Sequence, residues 1–315
     1  ASGIEGELHL HRSQRAEFEE ENARAGVYFY GIMVTDTATP GRALVRVPRF
    51  ALPTVALAIL TFSAWCWVSW QAFSGGFSLV LACLLNTVLA YISFTPQHDA
   101  VHGSISSNHK WRNEWIGRLA GIPLFSPFYA FQRLHLAHHR HTNDPEKDPD
   151  FWSGTGPWYL LPLRWLSQEP YYWYMSATKL KETSRRKRKE VVLTLLLFYG
   201  GSVAMAVSGH ASAVIWAWIV PSRLASAMLA FLFDYLPHKP HRISMKESPF
   251  KATRNIEGPG LSIMFLAQNY HLVHHTFPTV PFYRYLRIWR KHRGWFESHG
   301  GRSDSLRQAF KNEAR

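Results

Sequence analysis

Cysteine is nearly absent from this 315-residue chain, and the two that occur, Cys66 and Cys83, both lie in apolar stretches. They form no C-x-x-C pair, which excludes a thiolate metal site and a disulfide framework. No recognised nucleic-acid-binding motif occurs, so the net charge of +13 needs another explanation. The chain also lacks the Glu and E-x-x-H set that soluble di-iron bundles use.

Charged residues are missing from three long apolar runs, at 52–70, 77–95 and 191–207, and a fourth run at 211–236 is nearly free of them. A helix needs about 20 mostly apolar residues to cross a bilayer, and each run is close to that length. Core helices of a soluble enzyme are the alternative, but four such runs, two of them paired around a short turn, favour a membrane. The sequence predicts an all-α integral membrane protein with four transmembrane helices.

Lysine and arginine are also missing from the two short turns between paired runs, near 71–76 and 208–210. They cluster before the first run, at Arg46 and Arg49, and in the segments next to the other runs. By the positive-inside rule, both termini and the long middle loop are cytoplasmic. Topology and anionic lipid headgroups therefore explain the basic charge. The run "SRRKRK" at 184–189 is expected to bind lipid headgroups or to dock an acidic electron carrier.

Histidine is abundant, and eleven of the 17 lie in the tight groups "HDAVH", "HLAHHRH", "PHKPH" and "HLVHH". Residues at i, i+3 and i+4 share a helix face, so the pattern H-x-x-H-H, which occurs twice, presents three imidazoles together. All four groups fall on the cytoplasmic side, and triplets at this spacing favour metal binding over a structural role. The predicted ligands are His98, His102, His135, His138, His139, His238, His271, His274 and His275.

Nine imidazoles are too many for one zinc ion, which takes about four ligands, but they suit two metal ions with open positions for a small molecule. Imidazole binds zinc, copper, iron or nickel, whereas calcium and magnesium prefer oxygen. Iron is favoured because a redox-active pair can bind and split O₂. His141 should face away from its neighbours and His241 follows a proline, so both are left out.

Several polar residues lie beside the predicted ligands. We expect one or more of Asp99, Asp234 and Asn269 to orient a ring N–H or to hold a metal through water, with capping or solvation as the alternatives. The acidic run "DPEKDPD" at 144–150 is expected to fix a helix end or to pair with basic residues, with direct metal binding as a further alternative. Arg223, inside the fourth run, is a candidate for a substrate pocket or for pairing with a partner.

The histidine groups resemble the histidine boxes of the membrane fatty acid desaturase and hydroxylase superfamily over about residues 50–285. "HLAHHRHTNDPEKDPDFW", "FDYLPHKPH" and "QNYHLVHHTFPTVPFYRY" are most similar to cyanobacterial-type β-carotene hydroxylases, and carotenoid ketolases have less similar signatures. The first box has three residues between its histidines, where many desaturases have four, which counts against a plain acyl desaturase.

The resemblance implies a non-haem centre of two iron ions (Fe²⁺/Fe³⁺) held by the nine histidines, O₂ as co-substrate, and electrons from a ferredoxin-type partner. It also places Asp234 where acyl-CoA desaturases have an Asn that holds a metal-bound water.

The expected organisation is a cytoplasmic N-terminal segment at 1–48, a membrane di-iron oxygenase domain at 49–285 and a basic cytoplasmic tail at 286–315. A cytoplasmic helical cap would carry the di-metal site. The expected function is O₂-dependent hydroxylation of a long apolar lipid, a β-carotene or related carotenoid ring. A fatty acyl-lipid desaturase with the same site, a membrane metal-binding or transport protein and a haem cytochrome are the alternatives.

Overall fold

The computed structural model describes residues 40–178 and 183–311, so predictions about residues 1–39, 179–182 and 312–315 lie outside it. Helices make up most of this region. They are α1 (Arg42–Val45), α2 (Leu52–Ser74), α3 (Leu79–Val101), α4 (Lys110–Gly121), α5 (Phe128–His141), α6 (Leu161–Leu166), α7 (Gln168–Thr178), α8 (Arg185–Met205), α9 (Ala211–Val214), α10 (Val220–Leu229), α11 (Leu261–Met264), α12 (His271–Thr276), α13 (Tyr285–Ser298) and α14 (Leu306–Lys311). The short 3₁₀ and π-helical segments are Pro149–Gly154, Trp158–Leu160, Ala206–His210, Ile215–Ile219, Ala230–Tyr235 and Phe282–Arg284.

Helices α2 and α3 form a hairpin and pack along each other. Gly75 ends α2 at φ 78°, in the left-handed conformation that glycine adopts without a Cβ clash. Ser78 then caps α3, because its hydroxyl accepts the N–H of Leu81 at 3.2 Å. Because α3 continues past the predicted run to Val101, His98 lies in its last turn and His102 directly follows it.

The segment Arg185–Tyr235 is one helical run of 51 residues, but it is not straight. Gly209 has φ 94°, outside the helical range, and the rings of Phe198 and Trp218 are 5.7 Å apart. A straight helix would separate these two residues by about 30 Å. The chain therefore reverses direction at Gly209, and the two arms correspond to the third and fourth apolar runs of the sequence.

Three helical runs in the described part of the chain are long and apolar enough to cross a membrane: Leu52–Ser74, Leu79–Val101 and Arg185–Tyr235. Their outer surfaces expose large apolar side chains, such as Leu60 at 69% and Leu197 at 73%. A continuous apolar surface of this kind is unfavourable in water and suits lipid. The four predicted spans thus appear as three helical runs, the third of which folds back on itself.

Helix α3 lies at the centre and packs against α2, α4 and α10. Buried polar contacts connect the apolar helices: the Asn86 amide donates to the Ala217 carbonyl at 2.6 Å and to the Ser69 hydroxyl at 3.0 Å. Such a bond fixes how two apolar helices meet, because an unpaired amide in their interior would be costly. The bond therefore joins α3 to the returning arm of the run Arg185–Tyr235.

Residues 286–311 pack onto the rest of the protein. Trp289 and Phe296 of α13 are fully buried. Strand β2 (Ser303–Ser305) pairs in parallel with β1 (Asn255–Glu257), which the all-α prediction omitted because three-residue strands are too short to give a periodic pattern. This pairing crosses the boundary predicted at residue 285, and the three-part division of the chain stays a prediction.

Candidate metal centre

The structure brings the nine predicted histidines together in two adjoining groups. Within each group, the ligating atoms all lie within 4.8 Å of one another. The first group, named site A, contains five histidines and the second, site B, contains four. Site A is His98, His102, His135, His139 and His274, and site B is His138, His238, His271 and His275.

Helix geometry explains why the pattern H-x-x-H-H occurs twice. On α5, His135 and His139 belong to site A and His138 belongs to site B. On α12 the division is reversed: His271 and His275 belong to site B and His274 belongs to site A. The i, i+4 pair reaches one site and the histidine between them turns slightly aside to the other. Each triplet therefore contributes to both sites, in opposite proportions, and holds them side by side.

All the contacts within the sites are made by Nε2 atoms. In site A, Nε2–Nε2 distances are 3.0 Å between His98 and His274 and 2.8 Å between His274 and His139. The contacts continue through His135, at 3.1 Å from His139 and 2.9 Å from His102. In site B, the Nε2–Nε2 distances are 3.2 Å between His138 and His275, 2.9 Å between His238 and His271, and 3.1 Å between His275 and His271.

These distances fit ions better than hydrogen bonds. A neutral imidazole carries on Nε2 either one proton or one lone pair, so at most two of the four contacts in site A can be hydrogen bonds. Two nitrogens at about 2.1 Å from a shared ion lie about 3.0 Å apart at right angles and about 3.4 Å apart at the tetrahedral angle. The observed separations correspond to the right-angled arrangement, and the donor set fits a transition-metal ion in each site.

The outer nitrogens of three ligand rings have partners that fix the ring orientation. His138 Nδ1 lies 2.8 Å from Asp148 Oδ1, His274 Nδ1 lies 2.9 Å from the Tyr285 hydroxyl, and His98 Nδ1 lies 3.4 Å from the Gln268 amide. With Nε2 turned toward a bound ion, Nδ1 of His138 and of His274 would carry the proton and donate it. Tyr285 and Gln268 lie at the two ends of the quoted motif at 268–285, but its spacing does not indicate that either side chain contacts a ligand ring.

A buried acidic cluster adjoins His138. Asp150 Oδ2 lies 3.3 Å from its Nδ1, and the Tyr172 hydroxyl donates to Asp150 Oδ1 at 2.5 Å and is 3.4 Å from Asp234 Oδ2. Burial alone would lower the pKa of His138, but the carboxylates of Asp150 and Asp148 outweigh it and raise the pKa to about 9. Burial raises the pKa of Asp150 to about 6, against the opposing effects of His138 and Tyr172.

The other predicted ligands on α5 and α12, together with His238, have a pKa that is lowered rather than raised. Burial lowers the pKa of each, and neighbouring imidazoles lower it further; the pKa of His271 falls to about 3. A ligand imidazole must be neutral to bind a metal. These rings are therefore ready to coordinate at neutral pH.

The residues predicted to support the ligands have varied surroundings. Asp234 lies behind Tyr172 and faces the acidic cluster. Asn269 donates to the Ile256 carbonyl at 2.8 Å, and Asp99 accepts from the Thr54 hydroxyl at 2.7 Å and the Phe282 N–H at 3.2 Å. Asn269 and Asp99 thus join segments of the fold, and no described contact links either to an imidazole nitrogen.

The acidic run 144–150 both ends a helix and contacts a ligand. Asp148 accepts the N–H of Asn143 at 2.7 Å just after α5, as the sequence predicted, while its other oxygen contacts His138. The two excluded histidines belong to neither site: His141 is only partly buried, and His241 contacts Asn143 Oδ1 at 3.2 Å.

An apolar cavity opens beside the histidines, with about 920 Å³ of empty space including its mouth. It reaches both sites, because His98 and His135 of site A and His138 and His271 of site B all line it. Most of the remaining wall is aromatic or aliphatic: Phe94, Leu124, Phe125, Phe131, Leu134, Trp173, Leu229 and Phe233. Such a cavity suits a long apolar molecule whose reacting carbon lies next to the histidines.

Arg223 forms an ion pair with Glu169, which lines this cavity. Glu169 also accepts from the Trp173 indole at 3.1 Å. The charge inside the fourth apolar run is therefore paired, and the pair lies at the wall of the cavity.

Comparison with known proteins agrees with this geometry. The family profile described as "Fatty acid desaturase" matches residues 74–306. The chain is 26% identical to the omega-3 fatty acid desaturase fat-1 of Caenorhabditis elegans, over 76% of this chain and 63% of the relative, and 25% identical to a zeaxanthin 4-ketolase of Chlamydomonas reinhardtii, over 76% and 54%. It is 28% identical to a β-carotene ketolase of Paracoccus sp. (strain PC1), over 70% of this chain and 86% of the relative. The chain thus spans less than two thirds of the length of the first two relatives.

Proposed function

The chain belongs to the fatty acid desaturase family, and we propose that within it the protein is an O₂-dependent di-iron oxygenase that hydroxylates a long apolar lipid, a β-carotene or related carotenoid ring. One observation carries this proposal: two groups of convergent Nε2 atoms adjoin one another and line a single apolar cavity. The ions would be held by the five histidines of site A and the four of site B. When bound, an iron pair supplies O₂ activation and one-electron redox steps.

The protein's own residues would bind and orient the substrate. The aromatic walls of the cavity, including Phe94 and Phe131, exclude water and pack against an apolar chain or ring. The histidines lie at one side of this space, so a carbon bound there would be close to both sites. Asp148 and Tyr285 keep the imidazoles of His138 and His274 in the ligating tautomer.

Hydroxylation needs electrons from outside the protein. Inserting one oxygen atom into a C–H bond and reducing the other to water takes two electrons and two protons beyond those of the substrate bond. We propose a ferredoxin-type, acidic electron donor. A shallow groove on α13 is the better docking surface, because Tyr285 links this helix to site A. Among the described residues its lining is Tyr283, Leu286, Arg287, Arg290 and Lys291, and none of these is acidic.

The basic run at 184–189 is less suitable for such a donor. Arg186 lies 3.9 Å from Glu114, and Glu114 and Glu190 both pair with Arg118. These carboxylates reduce the positive field that an acidic partner would encounter there. Lipid headgroup binding and topology are the roles that we propose for this run.

We also propose four membrane crossings, with both termini and the metal centre on the cytoplasmic side. The reversal at Gly209 supports four crossings, because it returns the chain across the same apolar layer. His98 lies in the last turn of α3 and His238 just after the run Arg185–Tyr235, which is consistent with one membrane face. Reporter fusions after residues 76, 182 and 210 test this: only a fusion after 182 should be active as a cytoplasmic reporter.

Product analysis tests the reaction. Expression in β-carotene-producing cells, followed by mass spectrometry of the pigments, should yield ring-hydroxylated products. A ketone on the ring would indicate two oxidations of one carbon, the activity named for the Paracoccus relative. A new double bond in a membrane fatty acid, with unchanged carotenoids, would replace our substrate assignment with the acyl-lipid desaturase alternative. Metal uptake into cells without any oxidised lipid would favour a metal transporter.

A further inference from the structure

The apolar cavity has a polar corner next to site B. Gln168, the first residue of α7, lines the cavity there, and its amide Nε2 donates to the Pro149 carbonyl at 3.3 Å. Pro149 lies between Asp148 and Asp150. Both of these carboxylates contact Nδ1 of the site B ligand His138, at 2.8 and 3.3 Å. The Gln168 amide is therefore at the site B end of the cavity.

The other polar atom of this amide, Oε1, has no hydrogen-bond partner among the described residues. Gln168 is only 2% exposed, so bulk solvent does not supply the missing donor. The Pro149 carbonyl sets the orientation of the amide, because a carbonyl oxygen accepts from Nε2 and would repel Oε1 if the amide were flipped. The unpaired atom is therefore an acceptor, and it belongs to the wall of the apolar cavity.

The donors that surround this corner already have acceptors. The Tyr172 hydroxyl, one turn along α7, donates to Asp150 at 2.5 Å, and the Trp173 indole donates to Glu169 at 3.1 Å. The guanidinium of Arg223 also pairs with Glu169. A buried acceptor without a donor is unfavourable by an amount that corresponds to about tenfold in an equilibrium constant. A ligand that brings its own O–H group into this corner would remove that penalty.

We propose that Gln168 Oε1 accepts a hydrogen bond from a hydroxyl group that the substrate already carries on the ring to be oxidised. This inference deepens the proposed function and rests on it: the preferred substrate is a ring alcohol rather than the bare hydrocarbon. A site that hydrogen-bonds a substrate hydroxyl discriminates against the analogue without it, because the acceptor is then left unpaired. The aromatic wall, including Phe94, Phe131 and Phe233, holds the apolar remainder of the molecule.

A pigment with two different ends tests the proposal by internal competition. β-Carotene has two identical rings, and its monohydroxy derivative carries a hydroxyl on only one of them. The full chain in phosphatidylcholine nanodiscs, loaded with iron and supplied with O₂ and reduced ferredoxin, should oxidise the hydroxyl-bearing ring about tenfold more often than the bare ring. Mass-spectrometric fragments identify the ring that gains oxygen. Equal attack on both rings, or a preference for the bare ring, would overturn the proposal.

Matched variants assign the preference to Gln168. Gln168→Met removes the acceptor at a similar side-chain length and should abolish the ring preference. Gln132→Met is the control, because Gln132 is not among the residues that line the cavity and both ends of its amide are paired: Nε2 donates to the Val101 carbonyl at 3.3 Å and Oε1 accepts from Lys187 Nζ at 3.2 Å. The preference compares two ends of one molecule, so a general loss of folding or of iron does not imitate its loss. A preference that persists in Gln168→Met, or an equal loss in both variants, would contradict the assignment.

Binding to the metal-free protein separates this proposal from the proposed function. The full chain in detergent micelles, incubated with an equimolar mixture of β-carotene and its monohydroxy derivative and then isolated, should retain about tenfold more of the alcohol. This excess should disappear in Gln168→Met. If it is observed but the iron-loaded protein oxidises neither pigment, the proposed reaction fails while the hydroxyl contact stands. If β-carotene is oxidised without any preference in either assay, or is oxidised while the bound alcohol is not, the proposed function stands and this inference fails.

Discussion

Tyr285→Phe should weaken the binding of one metal ion and leave the other unaffected. The Tyr285 hydroxyl lies 2.9 Å from Nδ1 of His274, and both side chains are fully buried. In the ligating tautomer Nδ1 is a donor, so the variant leaves a buried N–H without an acceptor. In the metal-free protein the ring is free to take the other tautomer, and the orphan atom is then a less costly lone pair.

The magnitude follows from this difference between the two states. Loss of a residue that orients a ligand histidine typically lowers metal affinity by about 10- to 100-fold, which corresponds to about 1.4–2.7 kcal/mol. Only site A contains His274. We therefore expect one of the two ions to be lost to a competing chelator at a concentration at which the wild-type protein keeps both.

The assay is anaerobic titration of Fe²⁺ against a chelator, with the ions per chain counted by mass spectrometry. Tyr91→Phe is the matched control, because its buried hydroxyl donates to the Met264 carbonyl at 3.1 Å and contacts no ligand. Retention of both ions at wild-type affinity in Tyr285→Phe, or an equal loss in Tyr91→Phe, would refute the reasoning.

Three further outcomes follow. His139→Ala should leave about one ion per chain and lower turnover at least about a hundredfold, whereas His141→Ala should keep both ions; equal metal content in the two variants would count against site A. Arg223→Leu leaves Glu169 unpaired at the cavity wall and should lower the free energy of unfolding by about 3 kcal/mol, and adding Glu169→Leu should restore much of it in chemical denaturation. In the metal-free protein, a histidine such as His271 has a pKa of about 3 when folded and 6.5 when unfolded, so the unfolded state is protonated first. The free energy of unfolding should therefore fall as pH decreases below 6.5, by up to about 1.4 kcal/mol per pH unit for each such histidine. A thermal midpoint that is constant from pH 7 to about pH 5 would contradict this.

The sequence alone was sufficient to predict the apolar helices and which histidines gather in the candidate metal centre. Apolar runs and the spacing i, i+3, i+4 are local patterns, and a helix converts them directly into one face. The nine histidines could therefore be chosen without coordinates, and the nitrogens of all nine meet in two groups. The absence of charge from the runs likewise indicated the helices that are long and apolar enough for a membrane.

Only the tertiary structure decided how these pieces combine. Spacing does not reveal that each triplet divides between two sites. It also does not reveal that Tyr285, on α13, and Asp148, in the acidic run, each contact a histidine ring, or that residues 255–257 and 303–305 pair as two short strands. The physical reason is that periodicity describes a single helix, whereas a hydrogen bond or a cavity wall depends on where distant segments come to pack.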